Sequence, residues 1–326
     1  MIQHTSSNHK FHQLLSFSFT IQLSKAIGTV VSAIVLMRLL DPEAFGLLGI
    51  ARVFIEFGWL WAGLIMGKAI INDDKITSLA LSSIFWLLIF LSIGIIGLFV
   101  GMAYLIAWWY ENQMLIEIVM ILSLTIFFQA MSMVPDALLQ KRLQLRAQGM
   151  VWLIAFGVSF GSAIYLANNG YGVWSLVYQL LLFYGFQAVG SLLIVHWKPD
   201  LAFSLISIKS HIAYVKPLLG SESLTYIATK MDDYLIGKYQ GVTELGIYNR
   251  AYTLVALPFR LLSRAYNQIL FPIFSEAKEN ETLLRTQFQK TFLELSYLMW
   301  PIISWGIYYR DVLIEEVLGK NWLPMS

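Results

Sequence analysis

Apolar residues run along this chain in long unbroken stretches, separated by short polar breaks, almost from end to end. A helix needs roughly 20 predominantly apolar residues to cross a bilayer core, and about nine stretches meet that length. They are Ser16–Leu39, Phe45–Ile70, Leu79–Trp108, Leu115–Leu139, Met150–Ala167, Gly172–His196, Ile212–Tyr239, Ile247–Phe274 and Thr291–Tyr309. Lipid offers no partner to a free backbone amide, so spanning segments are helices or closed barrels. Continuous runs such as Ile84–Val100 lack the alternation of barrel strands. The pattern predicts an all-α, polytopic helical membrane protein, and no break is long enough to house a folded soluble domain. The first run is too long for a signal sequence, holds Lys25 near its middle and shows no small-residue cleavage site before Arg38, so it reads as the first span.

Composition strengthens this picture. Hydrophobic residues make up 58% of the chain, charged residues 13%, and mean hydropathy is +0.66. Soluble domains carry roughly a quarter charged residues. The basic residues fall on alternate breaks: Lys68 and Lys75, then Lys141, Arg142 and Arg146, then Lys198 and Lys209, then Lys278, Arg285 and Lys290, with Lys10 in the N-terminal tail. The opposite breaks, Asp41-Pro42-Glu43, Glu111-Asn112-Gln113, Asn168-Asn169-Gly170 and Gln240–Glu244, are nearly free of Lys and Arg. Positive loops stay cytoplasmic, which puts the N-terminus inside and Ser326 outside. Trp108, Trp109, Trp174 and Trp197 lie at span ends, the depth amphipathic rings prefer. A net charge of +2 spread over inner loops reports topology rather than nucleic-acid binding. The chain has no cysteine, which excludes disulfides and thiol chemistry.

An internal echo recurs at an offset of about 200 residues. Ile34-Val35-Leu36-Met37-Arg38 closes the first span and Tyr234-Leu235-Ile236-Gly237-Lys238 the seventh; Phe45-Gly46-Leu47 opens the second and Leu245-Gly246-Ile247 the eighth. First span matching seventh implies parallel repeats related by an axis along the membrane normal. On this reading residues 1–200 form an N-terminal lobe of six helices. Residues 201–326 form a partial C-terminal lobe of three, joined through the polar linker His196–Lys209.

The segment Leu40-Asp41-Pro42-Glu43-Ala44-Phe45-Gly46-Leu47-Leu48 resembles the first outer turn of bacterial polysaccharide exporters in the multidrug/oligosaccharidyl-lipid/polysaccharide superfamily. The likeness is nearest the colanic-acid and teichuronic-acid exporter branch. Val134-Pro135-Asp136-Ala137-Leu138-Leu139-Gln140-Lys141 and Gly170-Tyr171-Gly172-Val173-Trp174 resemble the same branch. So do Lys216-Pro217-Leu218-Leu219-Gly220-Ser221, Asp233–Lys238, Leu245–Tyr252 and Ile269-Leu270-Phe271-Pro272. The resemblance implies a flippase that moves an undecaprenyl-pyrophosphate-linked oligosaccharide across the bacterial inner membrane. Its partners would be that lipid-linked oligosaccharide, the lipid bilayer and other polysaccharide-assembly membrane proteins. Members of the family have about twelve to fourteen helices in two lobes around a central cavity. Val317–Trp322 resembles the turn after the ninth helix, so the expectation is a truncated product, one half of a split gene or a fragment.

Ionisable residues inside spans are costly unless they face a cavity or a partner, which makes them the first functional candidates. Arg260 and Arg264, one helical turn apart in the eighth span, suit an anionic pyrophosphate, as does Lys25 near the centre of the first. Each also has a plainer reading, pairing with an acidic neighbour (Glu56, for Lys25) or, for Arg264, snorkelling. Glu56 is a candidate for coupling a cation or proton, against a local ion pair with Arg52 at i,i+4. Asp232 and Asp233 are further candidates, against a structural pair of Lys230 with Asp233. Pro217, Gly220 and Pro258 are hinge candidates, since an interior proline removes a helical hydrogen bond.

No phosphate-binding glycine loop is present, so no ATPase is recognisable. The five histidines, His4, His9, His12, His196 and His211, read as tail or loop residues without metal-ligand spacing. No cofactor, metal or catalytic residue is expected. Two alternatives to the flippase stay open: a cation-coupled drug or metabolite exporter of the same superfamily, and an inactive truncated transporter. A membrane polysaccharide polymerase or transferase ranks below them, because the outer loops are too short for a catalytic face.

Overall fold

The computed structural model describes residues 2–256, 274 and 281–325, with side chains from residue 20 onward except Leu64. It contains two compact units, Met1–Gly246 and Ile247–Ser326. The first unit holds α1 (Ile2–Leu39), α2 (Pro42–Trp59), α3 (Met66–Asn72), α4 (Ser78–Trp109), α5 (Met114–Lys141), α6 (Leu145–Asn168), α7 (Val173–Ile194) and α8 (Leu205–Tyr239). A further helix, α9, is described over 242–256, across the unit boundary. The second unit adds α10 (Glu281–Tyr308) and α11 (Arg310–Leu313), followed by short turns that bury Trp322. The described residues are helical and contain no strand, so the chain is an all-α polytopic membrane protein.

Among the described residues, six spans meet the length and hydropathy a bilayer requires: Thr20–Leu39, Pro42–Asn72, Ser78–Trp109, Met114–Lys141, Leu145–Asn168 and Val173–Ile194. The expected seventh and ninth stretches are helical but more polar. Lys209, His211, Lys216, Glu222, Lys230, Asp232 and Asp233 punctuate α8, and Glu281, Arg285, Lys290 and Glu294 open α10. Most of the expected eighth stretch lies outside the described residues.

Local sequence explains where these helices begin. Asp41 precedes α2 in an extended conformation, with Pro42 at the first helical position and Glu43 in the first turn. There a missing N–H is harmless and negative charge meets the positive helix end. Thr77 caps α4 by accepting a hydrogen bond from the Ala80 amide at 3.2 Å. The sequence predicts one continuous second span, but the structure breaks it. A wide turn over Leu60–Leu64 separates α2 from α3, and Gly63 sits at φ 132°, a conformation that side-chain-bearing residues avoid.

Helix α5 is central: α2, α3, α4 and α7 all pack on it. Its inner face buries Leu115, Ile118, Val119, Leu122 and Ile126 completely or nearly so. Helix α6 lies along α7 and α1 along α6, while α8 packs on α2, α3 and α4. Large apolar side chains such as Phe90, Leu98, Leu105 and Leu193 point outward, an arrangement that lipid covers and water would not tolerate. Lipid tails give helices no hydrophobic reason to associate, so close packing and satisfied polar groups must hold the bundle. Several buried hydroxyls are satisfied within their own helix, as with Ser92 to the Ile89 carbonyl at 2.7 Å and Thr125 to Leu122 at 2.6 Å.

The two segments linked by the sequence echo meet directly. A side chain at Gly46 would overlap the carbonyl oxygen of Val242, and one at Gly246 would overlap that of Pro42. The contact is reciprocal at the same offset of about 200 residues. Only glycine permits backbones to approach so closely.

At the end of the bundle that carries the basic loops, polar contacts knit the connections. The linker after α7 crosses α4, where Ser82 Oγ accepts from the Asp200 amide at 3.0 Å and Ser83 Oγ from the Ser204 amide at 2.9 Å. Arg142 donates to the Val195 carbonyl at 3.0 Å, and the Lys141 ammonium reaches the Asp73 carbonyl. His211, expected in a loop, is instead a buried residue of α8 and bonds Asp73 at 3.0 Å. The helix starts at Leu205, capped by Ser204, earlier than its apolar pattern indicates. The Asp73 carboxyl is held below its ordinary range, chiefly by the Lys75 amide at 2.9 Å and further by His211.

Candidate functional site

Helix α5 presents Gln129, Ser132, Met133, Asp136, Ala137 and Gln140 to a cavity of about 280 Å³. These positions recur at spacings of three and four, so they form one stripe along the helix. Helix α7 adds Tyr184 and Gln187, and α6 adds Gln148. The broken second span contributes from both sides of its turn: Trp59 from the end of α2, and Gly67, Lys68 and Ile71 from α3. A side chain at Gly67 would come within 2.9 Å of Met133 Sδ, so a small residue there lets α3 close against α5.

Asp136 is the acidic group among the lining residues. A carboxylate inside a membrane span is expensive unless donors surround it. Ser191 Oγ donates to Oδ1 at 2.6 Å and Gln187 Nε2 to Oδ2 at 3.2 Å. Tyr184, Gln187 and Ser191 are themselves three and four residues apart, so one face of α7 serves the cavity and the carboxylate together. Among the described residues Asp136 has no salt-bridge partner. Lys68, on the rim, is more than half exposed and reaches Glu222 at 3.4 Å.

None of the sequence-derived candidates among the described residues lines this cavity. The Lys25 ammonium lies over the Trp152 ring at 5.3 Å from its centroid, and the acidic group acting on it is Asp136, not Glu56. Trp152 is stacked in turn on Phe156 at 4.9 Å. Glu56 is engaged by Arg52 through both Nε and a terminal guanidinium nitrogen. Lys230 pairs with the buried Asp233 at 2.8 Å, and the Asp233 amide donates to Asp232 at 2.9 Å. Tyr226 of α8 donates to the Val53 carbonyl at 2.8 Å, and Glu56 and Asp233 lie within electrostatic reach of each other. Helix α8 continues through Pro217, and Gly220 faces open space. Arg260, Arg264 and Pro258 lie outside the described residues.

The sequence reading places Asp136 and Gln140 only within a family-like segment and gives Gln129, Gln148 and Gln187 no role. The signal is four polar residues, Gln129, Ser132, Asp136 and Gln140, at spacings of three, four and four in a largely apolar helix.

Comparison with known proteins follows the same line. Residues 35–326 match the family described as "Polysaccharide biosynthesis protein". The chain is 24% identical over 278 residues to the teichuronic acid biosynthesis protein TuaB of Bacillus subtilis, covering 84% of this chain and 56% of that protein. It is 25% identical over 299 residues to the lipopolysaccharide biosynthesis protein WzxC of Escherichia coli, covering 90% and 60% respectively. It is also 25% identical over 299 residues to the succinoglycan biosynthesis transport protein ExoT of Rhizobium meliloti, covering 90% and 59%. The chain thus spans under two thirds of the length of these relatives. No solved structure matches it.

Proposed function

Because the chain belongs to the polysaccharide biosynthesis protein family, we propose that it translocates a lipid-linked oligosaccharide, carried on undecaprenyl pyrophosphate, across the bacterial inner membrane for surface polysaccharide assembly. The observation that carries this reading is the polar cavity set inside an apolar bundle: a hydrophilic headgroup crosses lipid only where such a lining replaces its water. The names of the relatives, which span teichuronic acid, lipopolysaccharide and succinoglycan biosynthesis, support a glycan cargo. The distribution of Lys and Arg supports a cytoplasmic N-terminus. The reciprocal Gly46–Gly246 crossing supports parallel lobes, residues 1–200 and 201–326, about an axis through that contact.

In this reading Arg260, Arg264 and Lys25 meet the pyrophosphate, since guanidinium and ammonium groups match phosphate oxygens. Deleting the gene in its host should strip the cell surface of its polysaccharide and leave the lipid-linked precursor on the cytoplasmic leaflet, protected from impermeant periodate. The intact gene should restore export, and the Arg260→Ala, Arg264→Ala double variant should not, at equal membrane abundance. Precursor that reaches the outer leaflet unaided in the deletion strain would refute the reading.

One observation favours a second reading. Asp136, held by neutral donors and without a salt bridge among the described residues, suits a cation-coupled exporter of small molecules. Efflux of a cationic dye, without any effect on the glycan precursor, would select it.

A further inference from the structure

The wall of the α5 cavity is built mainly from neutral hydrogen-bonding groups. Gln129, Gln140, Gln148 and Gln187 converge there beside Trp59 and Tyr184. Each amide offers two donors and an acceptor oxygen, whereas sites for phosphate are built from guanidinium, ammonium and backbone N–H groups. Lys68 at the rim is already engaged by Glu222.

Two residues of this wall each carry a buried atom that has no hydrogen-bond partner among the described residues: the indole Nε1 of Trp59 and the side-chain carbonyl Oε1 of Gln129. Such orphans are rare because each forfeits its hydration without compensation. One is a donor and the other an acceptor, and that pairing discriminates among ligands. A phosphate oxygen accepts from the indole but offers Gln129 Oε1 nothing. A metal ion coordinates the carbonyl but repels the indole N–H. A hydroxyl both donates and accepts, so a ring bearing hydroxyls is the class of ligand that can answer both kinds of group. Asp136, anchored by Ser191 and Gln187, supplies a further acceptor, and an acceptor-only carboxylate opposes a bound anion.

We propose that this cavity is a sugar subsite, which takes one neutral sugar residue of the lipid-linked glycan while the pyrophosphate binds elsewhere. The inference rests on the translocation reading above and adds where, and by what chemistry, the glycan is recognised. The volume of about 280 Å³ lies at the lower edge of small-molecule pockets and suits a single ring rather than a chain. Trp59 and Tyr184 add aromatic surface for the apolar C–H face of that ring.

The test compares two probes on the purified protein in detergent: the lipid-linked precursor extracted from the host's own membranes, and undecaprenyl pyrophosphate without sugar. Gln129→Leu and Trp59→Phe each delete one hydrogen-bonding group at similar size. Each should weaken binding of the precursor about tenfold and leave binding of the sugar-free carrier unchanged, which also reports an intact fold. Unchanged precursor affinity in both variants, or an equal loss for both probes, overturns the sugar subsite. A wild-type protein that binds the two probes equally also overturns it while the carrier reading stands. One that binds neither overturns the translocation reading itself.

Discussion

Glu56 and Asp136 are both carboxylates in membrane spans, yet their surroundings assign them different work. Glu56 is held by a cation one turn away on its own helix, an arrangement complete within α2. Asp136 is held by neutral donors from another helix and keeps an edge on a cavity. The first predicts a coupling that a double-mutant cycle can read. Arg52→Met alone strands Glu56, so it should destabilise the protein more than Arg52→Met combined with Glu56→Gln. The pair is partly exposed, so the coupling should be modest, about 1 kcal/mol. Thermal unfolding in detergent measures it, and strictly additive effects would show that the pair contributes nothing. Asp73, outside the spans, gives a pH signature. Its carboxyl is depressed in the folded state, so its stabilisation is present above the ordinary carboxylate value and disappears as pH falls through the folded one. The difference in Tm between wild type and Asp73→Asn should hold steady above about pH 5 and shrink below about pH 4. A difference that grows on acidification would contradict this assignment.

At the scale of elements, glycines decide where helices touch. Gly246 lies against the α2 backbone, and the opposing atom is a main-chain carbonyl that cannot rotate away. Gly246→Ala should therefore push α2 and α9 apart and cost about 1–3 kcal/mol. Gly94 has open space around it in α4, so Gly94→Ala should be neutral or slightly stabilising. Equal Tm values for the two variants would mean the crossing is loose. The helices themselves were legible because long apolar runs have one stable solution in lipid. Their interruptions were less so. The break at Gly63 leaves hydropathy unchanged on both sides, because Leu60, Trp61, Leu64 and Ile65 are all apolar. The start of α8 was hidden for the opposite reason: Ser207, Lys209 and His211 look like loop residues, yet Ser204 caps a helix there and Asp73 satisfies the imidazole.

For the whole molecule, the sequence carried the solvent and the family, while the site needed the fold. Charge drew attention to Lys25, Glu56 and Asp233, which the structure engages with a tryptophan ring or a neighbouring ion. The cavity is assembled mostly from uncharged residues, supplied by α5, α6, α7 and the broken second span, and periodicity within one helix cannot announce that convergence. The same distribution explains how a bundle held by close packing can host a polar cargo. Lipid-facing surfaces stay apolar, and polar groups gather on the faces of α5 and α7 that look toward each other.

The most direct measurement is translocation in sealed vesicles. Purified protein would be reconstituted with the host's lipid-linked precursor, and the fraction of precursor open to impermeant periodate followed with time. The account predicts that vesicles with wild-type protein expose precursor from both leaflets, that protein-free vesicles expose only the outer one, and that Gln129→Leu slows the exchange. Identical exposure with and without protein, under conditions where the precursor binds, would contradict it.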